Sequence, residues 1–366
     1  MEAMTRVYLS TYGMKQLPTK SERQISVTGS SENLSTVEHK TAPILIIAFN
    51  RPDLFAGLID ILRRIKPTFV LVAVDGPRED HPEDHEACAQ VKNLTFTIDW
   101  PCEVRTRFSE VNQGCKHGPA NAITWFFEQV DAGIILEDDC HPVVSFFPYA
   151  SELLDRYAHH PEIGMISGNN HYRFQTFDKH SYYYSRLPLI YGWATWRRAW
   201  ANFDITLDSY RDQLENIRSG LGHHVAFRNH WWKHVEHLEA GLDTWDVQWA
   251  IALFAHKQLC VKPAVNLVSN RGFNEDSTHT SFEYDSYRYE STGTLEFPLA
   301  HPPMRSTYVA DEQADMREER RYTSEALAKP SRTQAVRLAS GRFFAGFSMM
   351  RRGAAEQPGE TGLFPC

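Results

Sequence analysis

The chain has 366 residues, with 38 Lys and Arg against 46 Asp and Glu, a formal net charge of −8. Hydrophobic residues make up 42% and charged residues 23%, the balance of an ordinary folded globular protein. No overall basic excess offsets phosphate charge, which argues against a general nucleic-acid binder, and no apolar run reaches the ~18 residues of a membrane-spanning helix.

Residues 1–40 are rich in Ser, Thr, Lys and Glu without sustained periodicity, and they read as a disordered tail. Met1 to Gln16 carries neither the apolar segment nor the cleavage site of a secretory signal. The cysteines Cys88, Cys102, Cys115, Cys140, Cys260 and Cys366 form no C-x-x-C pair. Free thiols and a cytoplasmic location are therefore expected.

Order begins at Pro43. Ile44 to Phe49 is a continuous apolar run, as in a strand buried on both faces. Pro52 then suits the first turn of a helix in which Leu54, Leu58, Ile61, Leu62 and Ile65 share one face. Phe69 to Val74 is a second apolar run, ending in Asp75-Gly76. Strand, helix and strand make a βαβ unit, which brings Asn50, Arg51 and Asp75 to the carboxyl edge of a parallel sheet. Open α/β sheets bind their ligands at that edge.

The alternation repeats. A strand is predicted over 103–108, a turn at Asn112-Gln113-Gly114, a helix over 117–130 and a short buried strand over 133–136. That strand ends in Glu137-Asp138-Asp139. Beyond it, helices are predicted over 146–157, 193–200 and 223–240. Strands are predicted over 163–167 and 261–268, with a longer strand or bent pair over 182–190. The section 300–330 is polar and is expected to wrap the surface. From 331 to 352, arginines alternate with Val336, Leu338, Phe343, Phe344 and Phe347, and no acid occurs. Two readings stay open for this stretch: a helix or tail belonging to a 301–366 extension, or a peripheral contact with the inner face of a membrane.

Three adjacent carboxylates repel one another unless a cation neutralises them. Mn²⁺ or Mg²⁺ takes carboxylate oxygens and leaves places for phosphate oxygens. The triplet therefore suggests a metal bridge to a diphosphate, against the plainer reading of a solvated acidic turn. Asp246 lies between Trp245 and Trp249, where aromatic walls could stack on a sugar and partial burial could raise a carboxylate's proton affinity. It could equally cap a helix, and Asp243 is its nearest competitor as a base. His230 and His234 share a helical face but lack the Glu of H-E-x-x-H, so packing outweighs zinc.

Pro43 to Arg51, Asp75-Gly76, His117 and Ile134 to Asp139 occur in an order that resembles the GT-A glycosyltransferases. The resemblance is to the N-acetylglucosaminyltransferases that begin complex N-glycan branching and to family 2-like nucleotide-sugar transferases. Gly192-Trp193, Trp245-Asp246 and the Pro263 to His279 loop extend it over roughly residues 43–285. It implies a GT-A fold, a Rossmann-like mixed β-sheet sandwiched by helices. A single catalytic domain would cover 41–300, with a nucleotide-binding half (41–140) and an acceptor half (141–300). It implies a UDP-sugar donor contacted by Asn50, Arg51, Asp75, His117, Glu137 and Asp138. Asp139 would hold Mn²⁺ or Mg²⁺, with His279 as a further ligand or diphosphate contact. Asp246 would be the general base of an inverting transfer to a glycan, lipid-linked or protein acceptor. Trp193, Trp245, Trp249 and Arg271 would line the substrate side.

Two other readings stand beside it. A nucleotidyltransferase needs a Gly-rich basic loop after the first strand, and Asn50-Arg51-Pro52-Asp53 is not one. A non-catalytic nucleotide-sugar or glycan-binding module would not need the triplet and a base together.

Overall fold

The structure is a computed structural model that describes residues 41–170, 180–272, 291–303 and 307–327. The expectations for the 1–40 tail, for His279 and for 331–352 fall outside the described residues.

The first half follows the predicted alternation. β1 (Ile44–Ala48) leads into α1 (Pro52–Ile65), then β2 (Phe69–Val74), α2 (Pro82–Thr95) and β3 (Glu103–Phe108). α3 (Gly114–Gln129), β4 (Ala132–Glu137) and the short β5 (Cys140–Pro142) follow. α2 escapes the sequence reading because its buried positions are Asp84, Cys88, Val91 and Thr95, a face whose polar members hide the helical stripe.

The second half holds α4 (Phe146–Arg156), β6 (Ile163–Ser167), β7 (Tyr182–Ser185), β8 (Trp193–Trp196) and the single turn α5 (Arg197–Trp200). A 3₁₀ turn (Asp208–Gln213), α6 (Leu214–Gly220), α7 (Val225–Glu239), α8 (Asp246–Ala255), β9 (Leu259–Pro263), β10 (Val268–Asn270) and α9 (Glu312–Leu327) complete it.

Four expectations are corrected here. The predicted 193–200 helix is a strand followed by one helical turn. All of Trp193–Trp196 is buried, because β8 lies between β4 and β6. The 182–190 strand stops at Ser185, and 261–268 divides into β9 and β10, which join different sheets. The polar 300–330 section contains α9. Its Asp315, Glu318 and Glu319 are buried, so polarity there marks paired contacts rather than a solvated wrap.

The main sheet has eight strands in the order β3-β2-β1-β4-β8-β6-β9-β7. β8 and β7 run against the others. β10 pairs with β5 in a separate antiparallel ribbon. Along β1, Ile44 and Ile46 face a core layer with Phe55, Leu58 and Phe146, while Leu45 faces Ile123, Phe126 and Trp249 on the other side. Helices thus cover both faces of a mostly parallel sheet, as its unbroken apolar runs require. The edge strand β3 is blunted by Glu103, Arg105 and Arg107. No described helix is long and apolar enough to cross a membrane, and no disulfide joins the described cysteines.

Candidate functional site

β1 lies between β2 and β4, with chain connections leaving in opposite directions on its two sides. This is a topological switch point, where the carboxyl ends of strands leave a crevice. A cavity of about 230 Å³ opens there. Its walls include Phe49 and Arg51 after β1, Asp75 and Arg78 after β2, Arg107 on β3, Cys115 and Gly118 on α3, Glu137 and Asp138 at the end of β4, and Asp243.

The acidic triplet is held against Arg51. One Arg51 Nη donates to Asp139 Oδ2 at 2.8 Å and lies 3.4 Å from Asp138 Oδ1. The backbone N–H of Phe49 donates to Asp138 Oδ2 at 3.1 Å. Burial works against the guanidinium's charge, but Asp138, Asp139 and Glu137 outweigh it and hold Arg51 more firmly protonated than usual. The carboxylates move the other way. Burial, then Asp139 and Asp138, push Glu137 well above the usual range. Burial raises Asp138 against the pull of Arg51. Burial lifts Asp139 to about 6, with Arg51 opposing and Asp138 adding to the rise. Asp139 Oδ1 is buried without a hydrogen-bond partner.

The loop after β3 closes over Asp75. Its carboxylate accepts from Gly76 N at 2.8 Å, from Gln113 N at 3.0 Å and from Asn112 Nδ2 at 3.1 Å. Burial still leaves its pKa raised, outweighing these hydrogen bonds. Gly76 permits this approach, since a Cβ there would sit 2.4 Å from the Val111 carbonyl carbon. Gly114, at φ +76, opens α3, and Asp243 caps that helix by accepting from Cys115 N at 2.9 Å and Lys116 N at 3.0 Å.

β10 completes the other side. Asn270 lies opposite Cys140, so Arg271 N donates to the Asp139 carbonyl at 2.9 Å. A Cβ on Gly272 would lie 2.1 Å from Asp139 Oδ2, so only glycine lets this strand end pass the triplet. Arg271 itself is exposed beside it.

Arg51, Asp75, Glu137, Asp138 and Asp139 are therefore brought together, with Arg271 at their margin. Other expected site residues lie elsewhere. Asn50 turns to Asp84, donating at 2.7 Å, and so supports the Asp84 carboxylate that Arg78 grips at 2.6 and 3.0 Å. His117 is exposed on the first turns of α3 and does not line the cavity.

Trp193, Trp245 and Trp249 are at most 1% exposed. They pack on one another, with Trp193 stacked on Trp245 at 5.8 Å between ring centres. The expectation that they wall an acceptor gives way to core packing, because no ring face is left for a sugar. Asp246 is 7% exposed at the start of α8 and accepts from Val247 N at 2.8 Å and from the Thr244 hydroxyl. It does not line the cavity, whereas Asp243 does.

Sequence reasoning missed Arg78, Arg107, Asn112 and Gln113. Their signal was position: each follows or ends a strand at the same sheet edge.

Among the described residues, no three His, Cys, Asp or Glu side chains converge as a ready-made cation cage. The donor set still fits a dication in one way. Asp139 offers a buried, unpartnered oxygen, its other carboxylate oxygen being held by Arg51. Phosphate oxygens and water would fill the remaining positions. Compared with known proteins, the chain matches no family model, and no curated sequence aligns with it significantly.

Proposed function

We propose that this chain is a cytoplasmic GT-A-type glycosyltransferase that takes a UDP-sugar at the switch-point cavity and uses Mn²⁺ or Mg²⁺ on Asp139. The observation that carries the reading is the assembly of Arg51, Asp75, Glu137 and Asp138 around one cavity at the carboxyl edge of β1, β2 and β4, with Asp139 buried behind that wall on the Arg51 guanidinium. The strand order and the helices on both faces are compatible with that fold.

The apolar lining from Phe49, Val74 and Pro119 suits a base and ribose, and Arg51, Arg78 and Arg107 supply cationic groups for phosphate. A dication bound to Asp139 would supply positive charge where the departing diphosphate gains negative charge. Of Asp243 and Asp246, Asp243 is the one on the cavity wall, and it takes the role of general base in preference to Asp246. A base facing the sugar across from the diphosphate implies inversion at the anomeric carbon.

The test is a thermal-shift panel of nucleotide sugars with and without Mn²⁺, since ligands that bind only the folded state raise its melting temperature. A UDP-sugar is expected to raise it, and more so with Mn²⁺. No response to any nucleotide sugar would overturn the proposal.

A second reading, a non-catalytic nucleotide-sugar-binding module, is favoured by the burial of Asp246 and the three tryptophans away from the cavity. Donor hydrolysis or transfer in the presence of Mn²⁺ excludes it.

A further inference from the structure

Arg51 is the cation paired with both Asp138 and Asp139. Its guanidinium takes Asp139 Oδ2 at 2.8 Å and leans on Asp138 Oδ1 at 3.4 Å, while Phe49 N holds the other Asp138 oxygen at 3.1 Å. Asp138 and Asp139 are 5% and 4% exposed, so bulk water does little to loosen these contacts. What remains of the Asp138 and Asp139 side chains for a cation is the unpartnered Oδ1 of Asp139. A single carboxylate oxygen is a poor site for a six-coordinate hard cation.

Arg51 also lines the cavity, so a bound diphosphate would lie within reach of the same guanidinium. Arginine pairs with phosphate at least as well as with carboxylate, through the same planar fork.

We propose that Arg51 is a resident counter-ion that keeps Asp139 closed to free dications until a diphosphate draws the guanidinium away. The inference rests on the nucleotide-sugar reading of the cavity. Arg51 exchanges one anionic partner for another, and Asp139 then presents both oxygens beside those of the diphosphate. No bond is made or broken in this step; two ion pairs are exchanged. The consequence is coupling: UDP strengthens Mn²⁺ binding, and Mn²⁺ strengthens UDP binding by the same factor.

The experiment measures Mn²⁺ affinity by electron paramagnetic resonance and calorimetry on the full chain, with and without UDP, correcting for the Mn²⁺–UDP complex in solution. Wild type is compared with Arg51→Met, which keeps the apolar stem, and with Arg51→Lys. Wild type is expected to bind Mn²⁺ weakly alone and about tenfold or more tightly with UDP. Arg51→Met is expected to bind Mn²⁺ about tenfold more tightly than wild type without UDP, and to lose most of the coupling. Arg51→Lys, a point charge without the fork, is expected to fall between them.

Equal Mn²⁺ affinity of wild type and Arg51→Met without UDP, with the coupling intact, would overturn the counter-ion role and leave the site reading standing. UDP binding without Mn²⁺ binding in any of the three proteins would overturn the proposal by making Arg51 the permanent cation. If neither UDP nor Mn²⁺ binds wild type, the site reading itself fails. Wild-type coupling can be measured even if a variant does not fold, and its absence alone would refute the inference.

Discussion

Asp139 carries two opposed demands. Its pKa is lifted from an ordinary 3.8 to about 6 by burial, so the folded state holds its proton across that window and the unfolded state does not. Stability contributed by this group is therefore full below about 3.8 and is lost as pH rises through about 6. Asp139→Asn, which mimics the protonated form, is expected to stabilise the ligand-free protein at pH 7.5 by about 1–2 kcal/mol and by about half as much at pH 5, where the unfolded carboxyl is already ionised. Urea unfolding at the two pH values checks it. The same variant is expected to abolish the added thermal shift that Mn²⁺ gives with UDP, so stability and binding move in opposite directions.

Gly272→Ala tests the neighbouring strand end, because its Cβ would lie 2.1 Å from Asp139 Oδ2 and must displace it. Loss of the Mn²⁺-dependent shift is the expected result. Asp243→Asn is expected to keep UDP binding and reduce turnover about a hundredfold, the usual size of a general-base effect. Asp246→Asn, whose oxygen can still accept from Val247 N, is expected to change turnover little. Steady-state rates for the pair decide between the two carboxylates.

At the scale of elements, α9 explains how a polar segment can be structural. Asp315 accepts from the Ser185 hydroxyl at 2.6 Å on β7. Glu318 pairs with the fully buried Lys262 of β9 at 2.7 Å. Glu319 accepts from His223 N and His224 N at 2.9 and 2.8 Å, and so caps α7. Removing one partner of a buried pair leaves an uncompensated charge. Glu318→Ala is expected to cost about 3–5 kcal/mol in denaturant unfolding, whereas Lys262→Met with Glu318→Leu is expected to restore most of it. Equal stability of both variants would show that the pair does not act as a unit. β8 gives the complementary lesson. Trp-Ala-Thr-Trp has no period that separates strand from helix, and its place between β4 and β6 decided the matter.

At the scale of the whole molecule, one sheet runs through both the 41–140 and 141–300 segments, so the site and the far strands share a core. The cavity opens at the edge where β1, β2 and β4 end, and the β5–β10 ribbon brings Arg271 and Gly272 back to that edge from more than a hundred residues away. The proposed role of Asp243 as base carries a stereochemical prediction: NMR of the first-formed product is expected to show an inverted anomeric centre, and retention would reject that assignment.

The sequence by itself determined β1, β2 and β4, because strands buried on both faces must be written as unbroken apolar runs. It also placed Arg51, Asp75 and the acidic triplet at one edge, since each directly follows such a run. Tertiary structure alone decided which aspartate near 243–246 meets the cavity. Three positions along the chain turn a side chain from the surface into the core at the start of a helix, and no local pattern distinguishes them. It also decided that the tryptophans pack rather than face a ligand, because an aromatic side chain suits either a core or a sugar face equally well. The partnering of Asp139 with Arg51 and Gly272 is likewise a property of strand pairing, which joins residues that the chain itself keeps far apart.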